Sequence, residues 1–361
     1  MTVDAAAIAA YGLPTTHTID RVPLDDEAFQ RLCAACENHR LLGLLAKAIR
    51  DQQVLLTDSQ HEEFELQYRA WLEHALRVER LVLDATLVLD QHAIPTRVLK
   101  GVALAHTAYA DPNERVFGDV DLLVPGAQLT RAARVLADAL DGSRAQPELR
   151  RGFDDRFGKE AMVKARGLEL DLHRTFVEGA FGLTVNLDDL FAPPYRFPLG
   201  SLEMEALPMP QRLLHATYAA AFGDWPPRLI SLRDLAQIVH REAPNLTDVL
   251  LMARGWQCEP IVARAVTLAW DQLALERRPP LVEWAYRFEP TKQQQRMLAW
   301  HEGPARAFTS QAAALLVLRT WDDRLAYLRA VTIPDPAYLK ARGFTVGSHV
   351  ERAWHRLVKR G

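Results

Sequence analysis

The sequence predicts an α+β fold in which a small mixed sheet lies between two helical regions. Three observations carry this. Apolar residues recur at three- and four-residue spacing from Phe64 to Gln91, the interval from 93 to about 200 switches to short alternating runs, and helical spacing returns from Gln211 onward. Prolines stand at both switches: Pro95 at the first, "FAPPYRFP" and "LPMP" at the second. The expected organisation is therefore an N-terminal helical region over 1–92, an α/β core over 93–200 and a C-terminal helical domain over 201–361.

Composition narrows the possible partners. The 361 residues are 49% hydrophobic and 25% charged, as in ordinary globular proteins, so disorder is not the default. Lys and Arg number 43 against 46 Asp and Glu, well mixed, with a net charge of −3. No broad basic face is declared, which argues against nucleic acid and anionic lipid and for small molecules or proteins. The start, "MTVDAAAIAAYG", lacks the basic residues and long apolar stretch of a signal peptide, and no apolar run approaches the ~20 residues that span a bilayer. With three cysteines, too few for a disulfide framework, the expected location is a reducing cytoplasm.

Residues 26–92 read as helical almost throughout. Cys33 and Cys36 fall inside "RLCAACENHRLLGLLAKAI", with no second pair for a zinc site and no preceding strand for a redox turn, so they are expected to be small core residues. In the long helix, Phe64, Tyr68, Trp71, Leu72, Ala75, Leu76, Leu83 and Leu87 mark a face that other helices must cover. Pro95 ends it, and Thr96–Leu99 turn to a β-favouring run. A helix over 102–110, a strand over 116–124 and a helix over 128–140 follow; "EAMVKA" and "LELDLH", joined by Arg166-Gly167, suit an antiparallel hairpin. Breaks at Trp225-Pro226-Pro227, Pro279-Pro280 and Pro334 divide the C-terminal helices, and "SHVERAWHRLVKRG" reads as a solvated amphipathic basic helix.

The chemistry is concentrated in "RVFGDVDLLVP". In a strand Asp119 and Asp121 share a face, about 6 to 7 Å apart, while Val120, Leu122 and Val124 face the core. Two like charges so close repel unless something neutralises them, and a divalent cation does so well: hard carboxylate oxygens suit Mg²⁺, which leaves room for water and phosphate oxygens. "GLELDLHRTF" repeats the pattern, with Glu169, Asp171 and His173 alternating with leucines. If the two strands are neighbours, Asp171 joins the pair, and three carboxylates can hold two metals for in-line phosphoryl transfer. The bland reading is a half-exposed strand with solvated aspartates, since Asp-x-Asp arises often by chance. Against it stands "VLKGVALAHTAY", where Lys100-Gly101 lead from a strand into a helix, a natural place for phosphate.

Taken in order, "CENHRLLGLLAKAI", "VLKGVAL", "RVFGDVDLLV", "LELDLHRTF" and "LLHATYAAAFGDWPPRLISLRDLAQIV" resemble the uncharacterised nucleotidyltransferase family of the polymerase-β superfamily, over most of the chain. The resemblance implies a small mixed-sheet nucleotidyltransferase core and a Mg²⁺-dependent transfer of NMP from an NTP, with ATP the expected donor, to a hydroxyl, releasing pyrophosphate. It makes Asp119, Asp121 and Asp171 the metal-binding and catalytic residues, around two ions. Lys100 and Gly101 stand where the superfamily more usually has Gly-Ser or Gly-Gly; a lysine can serve phosphate as a point charge.

Other residues keep more than one reading. Arg115 either neutralises departing pyrophosphate or forms an ion pair with a carboxylate. His173 is a general base, an orienting residue beside a metal or a satisfied strand-end histidine, the last two being favoured because a carboxylate already serves as base. Glu169 is a supporting or solvent-facing acid. Asp234 pairs with an arginine or reaches an acceptor pocket; His215, Tyr218 and Trp225 line that pocket or are core. No Walker A, HExxH or GxGxxG pattern is present. The acceptor stays open between a small molecule, a peptide and a protein. The rivals are a nucleotidyltransferase-like binding or regulatory protein without catalysis, and a helical adaptor in which Asp171 need not approach 119 and 121.

Overall fold

The structure is a computed structural model and describes residues 3–303 and 306–343. Its centre is a seven-stranded mixed sheet: β1 Arg97–Val98, β2 Val120–Leu123, β3 Ser143–Arg144, β4 Glu160–Ala165, β5 Leu168–His173, β6 Tyr195–Leu199 and β7 Leu202–Ala206, in the order β3-β4-β5-β2-β1-β7-β6. The expected hairpin is β4–β5, turning through Arg166 at φ 53 and Gly167 at φ 76, the left-handed pair that matches strand twist. β5 then lies parallel to β2, and β2 antiparallel to β1.

Two features of the sheet differ from the sequence reading. The second proline cluster is not only a linker: β6 and β7 form a hairpin that buries Phe197, Leu199, Met204 and Ala206, so the expected boundary at 200 lies in its turn and the sheet runs on to Ala206. Pro198 is tolerated because β6 is an edge strand. The strand expected over 116–124 is shorter, β2 starting only at Val120, because side chains hold the segment before it: Arg115 turns into a buried ion pair and the Gly118 carbonyl contacts the His74 ring at 2.9 Å.

The helix Asp58–Gln91 organises the molecule. Thr57 and Gln60 close a capping box at its start. Its first half, with Phe64 and Tyr68, joins a core made by the N-terminal helices and by Gln211–Phe222, Leu229–Glu242 and Glu259–Gln272. Its second half, with Val78, Leu81, Val82, Ala85 and Leu89, covers the sheet together with the helix Leu129–Ala139. Residues of both helical regions thus pack in one core. The stripe assigned from spacing drifts out of phase: Leu76 and Leu87 are 66% and 51% exposed. Cys33, Cys36 and Cys258 are buried, as expected of core residues, and burial pushes the Cys33 thiol up to about 12. No described helix is long and apolar enough to cross a membrane. The basic segment ending the chain lies outside the described residues.

Candidate active site

The parallel register of β2 and β5 sets Asp121 beside Asp171. Residues paired in a parallel ladder point to the same face, so the two carboxylates lie side by side, and His173, two residues on, shares that face. One ligand atom from each of Asp121, Asp171 and His173 lies within 4.8 Å of the others. The adaptor reading, which did not need Asp171 near residue 121, has no support in this geometry.

The cluster is anchored by charge. Lys100, at the start of the helix Lys100–Thr107, places Nζ 2.6 Å from Asp121 Oδ1 and 3.4 Å from His173 Nε2. His173 Nε2 is 2.7 Å from the same oxygen, and its Nδ1 is 3.3 Å from Glu160, which Lys159 contacts at 2.7 Å. Burial alone would raise the Asp121 carboxyl, but Lys100 and the His173 hydrogen bond hold it well below the usual carboxylate range. Burial works against the Lys100 ammonium, and Asp121 more than offsets it, so its pKa stands raised. Burial and then the Lys100 charge lower the His173 imidazole. Asp171 is the exception. Burial, followed by the charges of Glu160 and Asp121, pushes it up to about 7, and its buried Oδ1 has no hydrogen-bond partner.

That orphaned oxygen is the test of whether a cation fits. Two carboxylates and an imidazole converge on one point, one oxygen is unsatisfied, and like charges face each other: the donor set matches a divalent ion that accepts hard oxygens and tolerates a nitrogen. The composition of the cluster differs from the sequence expectation. His173 belongs to it, whereas Asp119 does not: it lies before β2 and accepts a hydrogen bond from Arg40 Nη1 at 3.2 Å. Arg40 and Lys159 were not anticipated, since a basic residue after a helix and another before a strand carry no spacing signal.

Arg115 and Asp234 find each other. Arg115 Nε and Nη2 donate to Asp234 at 2.9 and 2.8 Å, and the Tyr109 hydroxyl donates to it at 2.8 Å, all buried. Of the two expectations for Arg115, this is the ion pair, made to the helix Leu229–Glu242. Glu169 is exposed beside Lys164, at 3.4 Å. Gly101 is required by contact, because a Cβ there would meet Phe117 Cβ at 2.5 Å.

A cavity of about 410 Å³ opens beside these groups. Lys100, Asp119, Asp121 and Lys159 line it, together with Phe176, His215 and Tyr218. Phe176 and His215 rings are 4.5 Å apart, and burial and then the Lys100 charge keep the His215 imidazole well below its ordinary value, hence neutral. Trp225 is 45% exposed and does not line the cavity.

Residues 25–273 match the family model described as uncharacterised nucleotidyltransferase. Among solved structures, an antigenic nucleotidyltransferase-like protein from Paracoccidioides brasiliensis is similar at 15% identity, over 57% of this chain and 97% of that one, with a TM-score of 0.34. No curated protein matches the chain.

Proposed function

Because this chain belongs to the uncharacterised nucleotidyltransferase family, we propose that it transfers an NMP from an NTP, with ATP the expected donor, to a hydroxyl of a small molecule, peptide or protein, releasing pyrophosphate. The observation that carries the reading is the in-register pair Asp121 and Asp171, with His173 beside it, an Asp171 oxygen left without a partner, and Asp121 itself lining the cavity. Asp121, Asp171 and His173 would hold Mg²⁺, which when bound neutralises the carboxylates and polarises a phosphate.

The remaining work falls to the chain's own side chains. Lys100, Lys159 and Arg40 border the cavity and supply positive charge where a triphosphate's oxygens must lie. Asp119, which also lines the cavity, remains the third carboxylate of the proposal. Asp171, in register with Asp121, is the candidate that helps activate the acceptor hydroxyl. The neutral aromatic wall of Phe176, His215 and Tyr218 offers a face on which a base or an apolar acceptor stacks. Arg115 is a positioning residue: its bond to Asp234 fixes the helical wall against the sheet.

The test is incubation with each α-labelled NTP and Mg²⁺ or Mn²⁺, with hydroxyl-bearing acceptors, comparing the parent with Asp121→Asn and Asp171→Asn. Metal-dependent incorporation by the parent alone supports transfer. NTP binding without incorporation moves the reading to a binding or regulatory protein, and absence of binding removes it.

A further inference from the structure

We propose that Lys100 is the resident counter-cation of this site, and that its ammonium and a divalent ion occupy Asp121 in mutual exclusion, the lysine passing to the triphosphate when the ion enters. The inference rests on the metal-nucleotide reading above and adds a control on it.

The ammonium stands within reach of two of the three groups that would hold the ion, 2.6 Å from Asp121 Oδ1 and 3.4 Å from His173 Nε2. An ion bound to those same two groups would lie only a few ångströms from Nζ, and at that separation two positive charges in a partly buried site repel strongly. One of them has to leave. The lysine is a partial substitute in any case: a monovalent point charge, it satisfies Asp121 and leaves Asp171 Oδ1 with no hydrogen-bond partner, whereas a divalent ion between the two carboxylates reaches both.

The backbone supports a deliberate placement. Lys100 is held at φ 40, in the left-handed region that a long side chain rarely adopts, and such strain persists where surrounding structure enforces it. From that turn the side chain reaches Asp121. Lys100 is also 31% exposed at its side chain and borders the cavity together with Lys159, so a released ammonium has both a route and a destination among phosphate oxygens. A metal ion arriving alone must strip Lys100 of its partner, while one arriving with a triphosphate brings a replacement. Metal and nucleotide are therefore coupled through this side chain, each strengthening the other.

The experiment titrates Mn²⁺ alone, read as free Mn²⁺ by electron paramagnetic resonance, into the parent chain, Lys100→Met, Lys100→Gly and Asp171→Asn. Lys100→Gly removes the ammonium and relieves the positive φ, so it keeps the test sound if the methionine variant folds poorly. Both Lys100 variants are expected to bind Mn²⁺ at least about tenfold more tightly than the parent, and Asp171→Asn more weakly. Tight binding by the variants with none by the parent gives the same answer. If the parent binds and the Lys100 variants bind equally or more weakly, this inference falls while the metal site stands. If none of the four binds, both fall together.

Discussion

Two carboxylates, the buried Asp234 and the half-buried Asp171, receive opposite treatment. Asp234 accepts from Arg115 through two nitrogens and from the Tyr109 hydroxyl, so nearly all its hydrogen-bonding capacity is used. Asp171 faces Asp121 and Glu160, and one of its oxygens is buried without a partner. The first arrangement stabilises: a buried charge held in fork geometry joins the sheet core to the helical core. The second costs stability in the free protein and fits a place where a cation could bind. On the function proposed above, satisfied and unsatisfied acids separate scaffold from chemistry.

The largest expected effect falls on the chemistry. Asp121→Asn keeps the shape of the site, yet removes the charge that Lys100, His173 and a cation all share, and transfer should fall about a thousandfold or more. Measured turnover within tenfold of the parent would mean that the cluster is another buried network like that of Asp234.

Next comes the scaffold pair. Arg115→Ala strands Asp234 in the interior and is expected to lower stability by roughly 3 to 5 kcal/mol in urea unfolding, the range for a broken buried ion pair. Arg115→Lys keeps the charge but not the fork and should recover only part of it. A loss below about 1 kcal/mol, as for exposed pairs, would erase the contrast.

Asp171→Asn should act in the opposite direction on stability. The Asp171 carboxyl is raised to about 7 in the fold, above its unfolded value, so it favours folding fully only below the unfolded pKa, and that contribution is lost as pH rises through about 7. An amide cannot ionise. In chelator, the variant should match the parent near pH 4 and exceed it by about 2 kcal/mol at pH 8, allowing for partial solvent screening. Parallel stability curves for parent and variant across this range would show that Asp171 is not strained.

The sequence made this contrast only half visible. The alternation in "LELDLHRTF" and the turn at Arg166-Gly167 specify β5 and its face, and so bring Asp171 and His173 to Asp121 once β5 lies beside β2. These are local signals with a period of two. Arg40 and Lys159 lie outside such a pattern, and Arg115 meets Asp234 across 119 residues, a contact decided by tertiary packing. The β6–β7 hairpin was hidden by its prolines, which punctuate a loop and an edge strand alike. In the long helix the stripe through Leu76 and Leu87 went astray because one helix serves two cores in turn, so no single phase of the 3.6-residue repeat fits its 34 residues.

Asp119 supplies the smallest stability effect and sharpens the comparison most economically. It is a third kind of acid, one third exposed at its side chain, bonded to Arg40 at 3.2 Å and standing just outside the converging cluster. Exposed pairs of this sort contribute little, so Asp119→Asn should change unfolding free energy by under about 1 kcal/mol. Transfer answers a different question. If Asp119 joins Asp121 and Asp171 around the nucleotide, as the family resemblance implies, the variant loses activity nearly as completely as Asp121→Asn while remaining as stable as the parent. If it merely holds Arg40 at the rim, Arg40→Ala should reproduce its effect, and the double variant should be no worse than either single one. That additivity test places Asp119 with the unsatisfied acids or with the satisfied ones, on a residue whose folding cost is too small to confuse the answer.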